Sequence, residues 1–279
     1  MKQVLPTTSL RRICRVLDLS RSALYLPNAP KDGPATAVLD MDLAQRVHAL
    51  IQEHPTFGYR RIWAMLRFGQ NLPVNRKKVY RLMQLRHWMV RQRSVTPKPR
   101  VAQPKSITEQ SNTRWAMDVT HVYCGQDGWG HLAAVIDCFD RELIGFEFAL
   151  HGRAKEAERA LETACLSRFG TLRPLGQTPV IRSDNGLIFT SRRFREACRF
   201  YRLEQEYITP YTPEQNGLIE RFFRSLKEEC VWQHNFTDFA QAKQIIGRWI
   251  GWYNQARPHQ ALGYHSPAQF RQEKLQLVA

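Results

Sequence analysis

Apolar residues in the first third of the chain recur every three or four positions, which predicts short amphipathic helices. Over 9–25 the stripe consists of Leu10, Ile13, Cys14 and Leu17, and Ser20 is a suitable N-cap for a second run over 21–25. Two short helices joined by a tight turn, the second small and basic, are typical of a helix-turn-helix that enters a major groove.

Three further helical runs are predicted between residues 40 and 92. Their apolar stripes are Leu43, Val47, Leu50 and Ile51; Ile62, Met65 and Leu66; and Val79, Leu82 and Met83. The run 74–80 is interpreted as a second recognition helix. Basic residues lie off the stripes, and we expect them to contact DNA phosphates: Arg60, Arg61, Arg76, Lys77, Lys78 and Arg81.

From residue 114 onward the pattern changes to short strand-like runs separated by longer helical ones. Strands are predicted over 115–123, 131–137, 142–149, 178–182 and 203–208, and helices over 154–169, 191–201, 216–232 and 238–255. This order of elements predicts an α/β fold in which a mixed five-stranded sheet carries helices on its faces.

These patterns divide the chain into four segments. We expect a helix-turn-helix segment at 1–36, a basic helical DNA-binding domain at 38–95, a basic proline-containing linker at 96–110, and the α/β domain with its C-terminal helices at 111–272.

Positive charge is concentrated in the N-terminal third of the chain. The chain carries 41 Lys and Arg against 25 Asp and Glu, and residues 1–105 alone hold 20 of the basic and 5 of the acidic side chains. An excess of positive charge confined to the N-terminal third indicates a part that binds double-stranded DNA, joined to a part with another task. The alternative is a solvated basic surface with no particular partner.

Composition excludes several other classes of protein. Hydrophobic residues make up 43% of the 279 positions, which is typical of a globular chain. No apolar run is long enough to span a membrane, and the N-terminus has no apolar signal region. The six cysteines lack any C-x-x-C spacing. We therefore expect a cytoplasmic protein with reduced thiols and no membrane partner.

Three carboxylates stand where local structure does not explain them. Asp118 lies inside a predicted strand, where aspartate is depleted. Asp184 directly follows the fourth strand, at the kind of strand end where open α/β sheets bind ligands. Glu220 lies in the first turns of the helix predicted over 216–232.

A projection of that helix at 100° per residue places Glu220 and Lys227 together at the border of the buried face, with Arg224 beside them. A border position can hold a carboxylate over a sheet edge and a lysine next to it. The alternative is a solvated, salt-bridging face.

Three carboxylates that converge from separate elements repel one another unless cations lie between them. Oxygen ligands favour Mg²⁺ or Mn²⁺, and two such ions support in-line displacement at phosphorus.

The chain resembles insertion-sequence transposases of the retroviral-integrase superfamily, in the class whose catalytic subunit is the second reading frame of a two-frame bacterial element. The resemblance covers nearly all of 9–270 and is carried by the motifs WAMDVT at 115–120, RSDNG at 182–186, TPYTPEQNGLIERF at 209–222, and YN, RPH and LGYHSP between 253 and 267. The 35 residues between Asp184 and Glu220, and a basic residue seven positions after that glutamate, also match the family.

The resemblance implies an RNase H-like fold preceded by small all-α helix-turn-helix domains. It implies that Asp118, Asp184 and Glu220 form a catalytic, metal-binding triad for Mg²⁺, with Mn²⁺ as a substitute and two ions expected. Lys227 would contact transposon-end DNA, and Arg224 is grouped with it as a DNA contact. The activity implied is cleavage of terminal inverted repeats and joining of the freed 3′-hydroxyl to target DNA. A homo-oligomer and a first-frame protein, or its fused segment, are the implied partners.

Two other functions stay open at this point. One is a catalytically idle DNA-binding regulator of transposition. The other is a structure-directed nuclease that lacks joining activity. Asp137 and Asp140 are interpreted as structural residues of a hairpin. His259 and His265 are interpreted as structural or phosphate-contacting, with a place near the metal ions as the alternative.

Overall fold

A computed structural model describes residues 9–16, 40–90, 108–209 and 212–276 of the chain. The chain divides into two compact units, 1–45 and 46–279. The second helix expected over 21–25, nearly all of the linker expected at 96–110, and residues 210–211 of the TPYTPEQNGLIERF motif lie outside the described residues.

The first two helices are α1 (Leu10–Val16) and α2 (Met41–Glu53). In the second unit, α3 (Tyr59–Ala64) continues directly into a π-helical turn (Met65–Gly69). Helix α4 (Arg76–Leu85) begins at Asn75, whose side chain accepts a hydrogen bond from the Lys77 amide at 2.8 Å. The predicted stripes are confirmed, because their central residues are buried: Val47, Leu50, Ile62, Leu66, Val79, Leu82 and Met83.

The expected five-stranded sheet is confirmed. Its strands are β1 (Arg114–Tyr123), β2 (Trp129–Asp137), β3 (Leu143–Ala149), β4 (Val180–Ser183) and β5 (Glu204–Tyr207). They lie in the order β3-β2-β1-β4-β5, so β1 is the central strand. Strands β1 to β3 form an antiparallel meander, whereas β4 pairs parallel to β1, and β5 pairs parallel to β4.

Helices cover both faces of this sheet. They are α5 (Ala154–Phe169), α6 (Leu187–Thr190), α7 (Arg192–Phe200), α8 (Gly217–Glu229), α9 (Phe239–Gln255) and α10 (Pro267–Gln276). Side chains of β1 alternate between two cores: Trp115 and Met117 pack with α5 and α7, whereas Ala116 and Val122 pack with α8 and α9. Position 118 therefore belongs to the face that α8 covers.

Glycine permits a close approach between the sheet and α5. A β-carbon on Gly145 in β3 would lie 2.2 Å from the Ala160 carbonyl oxygen, which no side chain tolerates. The turn between β2 and β3 contains Arg141, which adopts a left-handed φ of 62° although it is not glycine.

The sequence pattern misses some boundaries. Helix α8 ends at Glu229 rather than at 232, and a short 3₁₀ turn (Val231–Gln233) follows it. Helix α10 was not predicted, because it buries only Pro267 and so has no apolar stripe. Among the helices of the described ranges, none is long and apolar enough to cross a bilayer.

Candidate active site

Asp118 lies on β1, and Asp184 directly follows β4, the strand that pairs in parallel with β1. Residues 114–116 of β1 pair in parallel with residues 180–182 of β4. Two steps further along this register, position 118 lies opposite position 184. Residues two apart on a strand face the same side, so Asp118 shares the α8 face with Ala116, and the charge of Asp184 acts on it from the end of β4.

Helix α8 brings Glu220 and Lys227 to this edge. Its buried stripe of Ile219, Phe222, Phe223 and Leu226 packs on the sheet, as the helical projection predicted. Glu220 is exposed and Lys227 is half-buried, so both occupy the border of the packed face.

The charges of Asp184, Glu220 and Lys227 all act on Asp118. Its pKa is raised to about 6, first because burial disfavours the charged carboxylate, and further because Asp184 and Glu220 repel that charge. A backbone hydrogen bond and the positive charge of Lys227 act in the opposite direction. Burial also raises the pKa of Glu220, and Glu214 adds to the shift. The site therefore concentrates negative charge that a cation would neutralise.

Each aspartate uses one oxygen to hold its own backbone. Oδ1 of Asp118 accepts the Val119 amide at 2.7 Å, and Oδ1 of Asp184 accepts the Gly186 amide at 2.9 Å. In the part of the chain that the structure describes, no three His, Cys, Asp or Glu side chains already stand in a metal-binding arrangement. The donor set nevertheless fits a hard divalent cation, because it consists of carboxylate oxygens and Asp118 is buried and repelled by Asp184 and Glu220.

A partly buried ion-pair network links the start of α8 to the strands. Arg182 in β4 contacts both carboxylate oxygens of Glu206 in β5, at 3.0 and 3.1 Å, and donates to the Gln215 carbonyl at 3.0 Å. Arg114 in β1 also donates to Glu206 at 3.1 Å. Burial alone would raise the Glu206 pKa, but the hydrogen bond and charge of Arg182, helped by Arg114, lower it.

Asn216 provides a second link between α8 and β1. It is 3% exposed, and its side-chain amide donates to the Met117 carbonyl at 3.4 Å, next to Asp118. Its Oδ1 is buried and has no hydrogen-bond partner among the described residues. Arg182 stands out in the sequence only as a member of the RSDNG motif, whereas the family resemblance implies that Asn216 belongs to the entry of the catalytic helix. A charged residue inside a short strand is the signal that could have singled out Arg182.

The predicted DNA contacts fall into two groups. Those on α4 are exposed, as expected for a recognition surface: Arg76, Lys77, Lys78 and Arg81. Arg60 is also exposed. Arg61, in contrast, is half-buried and pairs with Glu229 at 2.8 Å, and Arg224 pairs with Glu228 at 3.0 Å. DNA contact stays a prediction for all of these residues and for Lys227.

The hairpin aspartates hold local structure. Asp137 and Asp140 are fully buried, and Asp140 pairs with Arg168 at 2.9 Å. Burial and the neighbouring Asp140 raise the pKa of Asp137 to about 6, while its carboxylate accepts the Asn112 and Phe139 amides.

The two histidines differ in their surroundings. His259 is buried beside Arg257, and this burial, with the nearby arginine charges, lowers its pKa to about 2, so it is neutral. His265 pairs with Glu273 at 3.0 Å.

Three family models match this chain. A model described as an HTH-like domain matches residues 39–94, and two models described as an integrase core domain match 108–213 and 201–267. Together they cover helices α2 to α4, the whole of the sheet and helices α5 to α9. The core matches span Asp118, Asp184 and Glu220.

The chain is also similar to several solved structures. It aligns with the HTLV-2 integrase catalytic core domain in complex with magnesium at 22% identity and a TM-score of 0.44, covering 57% of this chain and 96% of that one. A simian T-cell lymphotropic virus intasome in complex with a PP2A regulatory subunit aligns at 16% identity and a TM-score of 0.49, over 82% of this chain and 74% of that one.

Two relatives from bacterial insertion elements extend the similarity over most of the chain. A 39.2 kDa protein of insertion element IS476 from Xanthomonas euvesicatoria is 35% identical over 263 residues, which are 94% of this chain and 72% of that protein. The transposase InsD of insertion element IS2 from Escherichia coli is 29% identical over 84% of this chain and 80% of its own length. Together with the RNase H-like sheet and the integrase-core matches, these similarities establish that the chain belongs to the insertion-sequence transposases of the retroviral integrase superfamily.

Proposed function

We propose that this transposase cleaves a phosphodiester at each end of its element and joins the freed 3′-hydroxyl to another DNA strand. The first step adds water across a P–O bond and leaves a 3′-hydroxyl. In the second step that hydroxyl forms a new P–O bond while an existing one breaks, and the departing oxygen takes a proton. Both steps share one in-line geometry, so a single site can serve both.

The observation that carries this proposal is the shared electrostatics of Asp118, Asp184, Glu220 and Lys227 at one sheet edge. We assign Asp118, Asp184 and Glu220 as the residues that hold Mg²⁺, or Mn²⁺ in its place, with two ions expected. When bound, such ions activate the attacking oxygen and stabilise the leaving one. The magnesium in the HTLV-2 integrase core supports this assignment.

The protein's own side chains bind and orient the DNA. Lys227 lies close enough to Asp118 to lower the pKa of that carboxyl group. The ammonium group of Lys227 can therefore hold a phosphate oxygen beside the carboxylates. The exposed basic face of α4 and the HTH-like match support binding of the terminal inverted repeats by Arg76, Lys77, Lys78 and Arg81. Arg182 and Asn216 act as positioning residues, because they fix α8, and with it Glu220, to the strands that carry the aspartates.

We further propose that the protein acts as a homo-oligomer that brings two ends together, and that a first-frame protein or its fused segment takes part in end recognition. The intasome similarity is in accord with an assembly of several copies.

The test is an assay with a labelled terminal-repeat duplex and a second duplex as joining target, in Mg²⁺ or Mn²⁺. We expect cleaved and joined products from the native protein, and losses of at least 100-fold for Asp118→Asn, Asp184→Asn and Glu220→Gln. Glu204→Gln is the matched control, because Glu204 is an exposed carboxylate on β5. Full activity of the triad variants would refute the assignment.

The products of the same assay distinguish the two alternative functions, a nuclease and a regulator. Cleavage without joined product indicates a nuclease. Binding without either product indicates a regulator. Either result contradicts the proposal that this chain carries out both chemical steps.

A further inference from the structure

A cavity of about 700 Å³ lies on the second unit, away from the carboxylates. Its walls come from the start of α3, from the turn between β2 and β3, from α8, and from the segment that follows α9. A volume of this size accommodates a group as large as a nucleotide.

The wall of this cavity is strongly basic. It contains five arginines, namely Arg60, Arg61, Arg141, Arg221 and Arg257, and no aspartate or glutamate among the lining residues. Glu229 lies behind the wall and pairs with both Arg61 and Arg257, at 2.8 and 2.7 Å. One carboxylate therefore serves two of the arginines. Arg60, Arg141 and Arg221 form no ion pair with any described residue.

Arg141 is held in unfavourable surroundings. Burial lowers the pKa of Arg141, and the charge of Arg221 lowers it further. Arg141 also adopts a left-handed φ of 62°, a backbone conformation that disfavours residues other than glycine and asparagine. Its amide donates to the Asp137 carbonyl at 3.0 Å, within the turn that the buried Asp140–Arg168 pair rigidifies. Like charges gathered around a cavity with this strained turn in its wall point to an anionic ligand that compensates them.

The cavity and the candidate active site lie on opposite sides of α8. At 100° per residue, Leu218, Arg221 and Ser225, which line the cavity, project within about 60° of one another. Glu220 projects about 130°, and Lys227 about 150°, away from the middle of that group. A helix with its side chains is about 10 Å across, so one phosphate cannot occupy both sites.

We propose that this cavity binds a backbone phosphate of DNA, distinct from the phosphate that reacts. Arginine forks suit this ligand, because a guanidinium contacts two phosphate oxygens at once. The inference rests on the proposed function, since the DNA that this chain processes supplies the ligand. A bound phosphate would neutralise Arg141 and Arg221 together and secure the DNA on the side of α8 away from the chemistry.

The test compares full-length variants for binding of a terminal-repeat duplex by fluorescence anisotropy, in EDTA and over a range of salt concentrations. Arg221→Gln and Arg141→Asn each remove one charge, and asparagine tolerates the left-handed turn. Arg192→Gln is the matched control, because Arg192 is an 87% exposed arginine on α7, paired only with Glu196 among the described residues.

For each cavity variant we expect the slope of log affinity against log salt to flatten by about 0.9, which corresponds to about eightfold weaker binding at 0.1 M salt. The control should keep the native slope. Thermal unfolding without DNA should show no loss of stability for Arg221→Gln, since the change relieves a repulsion. Native slopes for both cavity variants would overturn the proposal.

Inorganic phosphate and a mononucleotide serve as additional probes of the source of the phosphate. If they raise the melting temperature of the native protein while both cavity variants retain the native DNA slope, the ligand is a free anion and the DNA assignment is wrong. Because binding is measured without divalent metal, its outcome is separate from that of cleavage. Flattened salt slopes in the cavity variants, without cleavage by the native protein, would support the phosphate site and refute the proposed function. Native slopes in the cavity variants, with cleavage by the native protein, would refute the phosphate site and support the proposed function.

Discussion

The pair of adjacent glutamates at the end of α8 offers a sharp test of how the second unit is held together. Glu229 accepts two hydrogen bonds of 2.7 Å from Arg257, and a third from Arg61 at 2.8 Å. The side chains of Glu229 and Arg257 are only 5% and 4% exposed. Burial alone would lower the pKa of Arg257, but the hydrogen bonds and charge of Glu229 raise it. Glu229→Gln thus leaves buried guanidinium charge without compensation.

The magnitude follows from this burial. Removing one partner of a buried ion pair costs about 3–5 kcal/mol, because the other charge stays desolvated. The neighbouring Glu228 pairs with Arg224 at 3.0 Å on the exposed face, where such a pair contributes only about 0.3–0.5 kcal/mol. In a unit of this size, 1 kcal/mol corresponds to roughly 2–4 °C in melting temperature. We therefore expect Glu229→Gln to lower the melting temperature by roughly 10 °C, and Glu228→Gln by no more than about 2 °C.

The assay is urea unfolding and calorimetry of the two variants beside the native protein, at low and high salt. The small effect of Glu228→Gln should fade as salt increases, whereas that of Glu229→Gln should persist, since buried pairs are weakly screened. A loss below about 1 kcal/mol for Glu229→Gln would refute the reasoning that Glu229 neutralises buried arginines.

Three further predictions follow from single side chains. Gly145→Ala should destabilise the fold by about 1–3 kcal/mol in urea unfolding, because the new methyl group would clash with the Ala160 carbonyl. Gly247→Ala is the control: Gly247 lies in the middle of α9 with free space for a β-carbon, and the change should stabilise the fold by up to about 1 kcal/mol. Because the pKa of Asp118 is raised to about 6, the metal-free protein should become less stable as pH rises from 4 through 6. The variant Asp118→Asn should therefore be more stable than the native protein at pH 7, by at most about 3 kcal/mol, and this gain should vanish near pH 4. Lys227→Ala should reduce cleavage without lowering the melting temperature, because Lys227 forms no ion pair within the described part of the chain; an unfolded variant would make Lys227 a structural residue.

Much of this architecture can be predicted from the sequence, since its determinants are local. The apolar stripes at Ile62 and Leu66, and at Val79 and Leu82, have a helical period, and each is buried as predicted. Asp118 is conspicuous because an aspartate inside a strand runs against its propensity. The projection that placed Glu220 and Lys227 together needs only the geometry of one helix.

Features that depend on distant partners could not be predicted in this way. Arg182 meets Glu206 only because β4 and β5 become parallel neighbours, and the sequence around either residue does not identify the other as its partner. The basic cavity combines Arg60, Arg141 and Arg221, which are separated by up to 160 positions in the chain and share no local pattern. Tertiary contact alone decides such groupings.

The central claim is that Asp118, Asp184 and Glu220 jointly hold divalent ions at the edge of the sheet. The most direct measurement is anomalous diffraction from crystals of the protein grown with Mn²⁺ and terminal-repeat DNA. The account predicts anomalous peaks within about 2.2 Å of carboxylate oxygens of both Asp118 and Asp184, with Glu220 completing the site. Peaks bound elsewhere, with those carboxylates still engaged only by backbone amides, would contradict it.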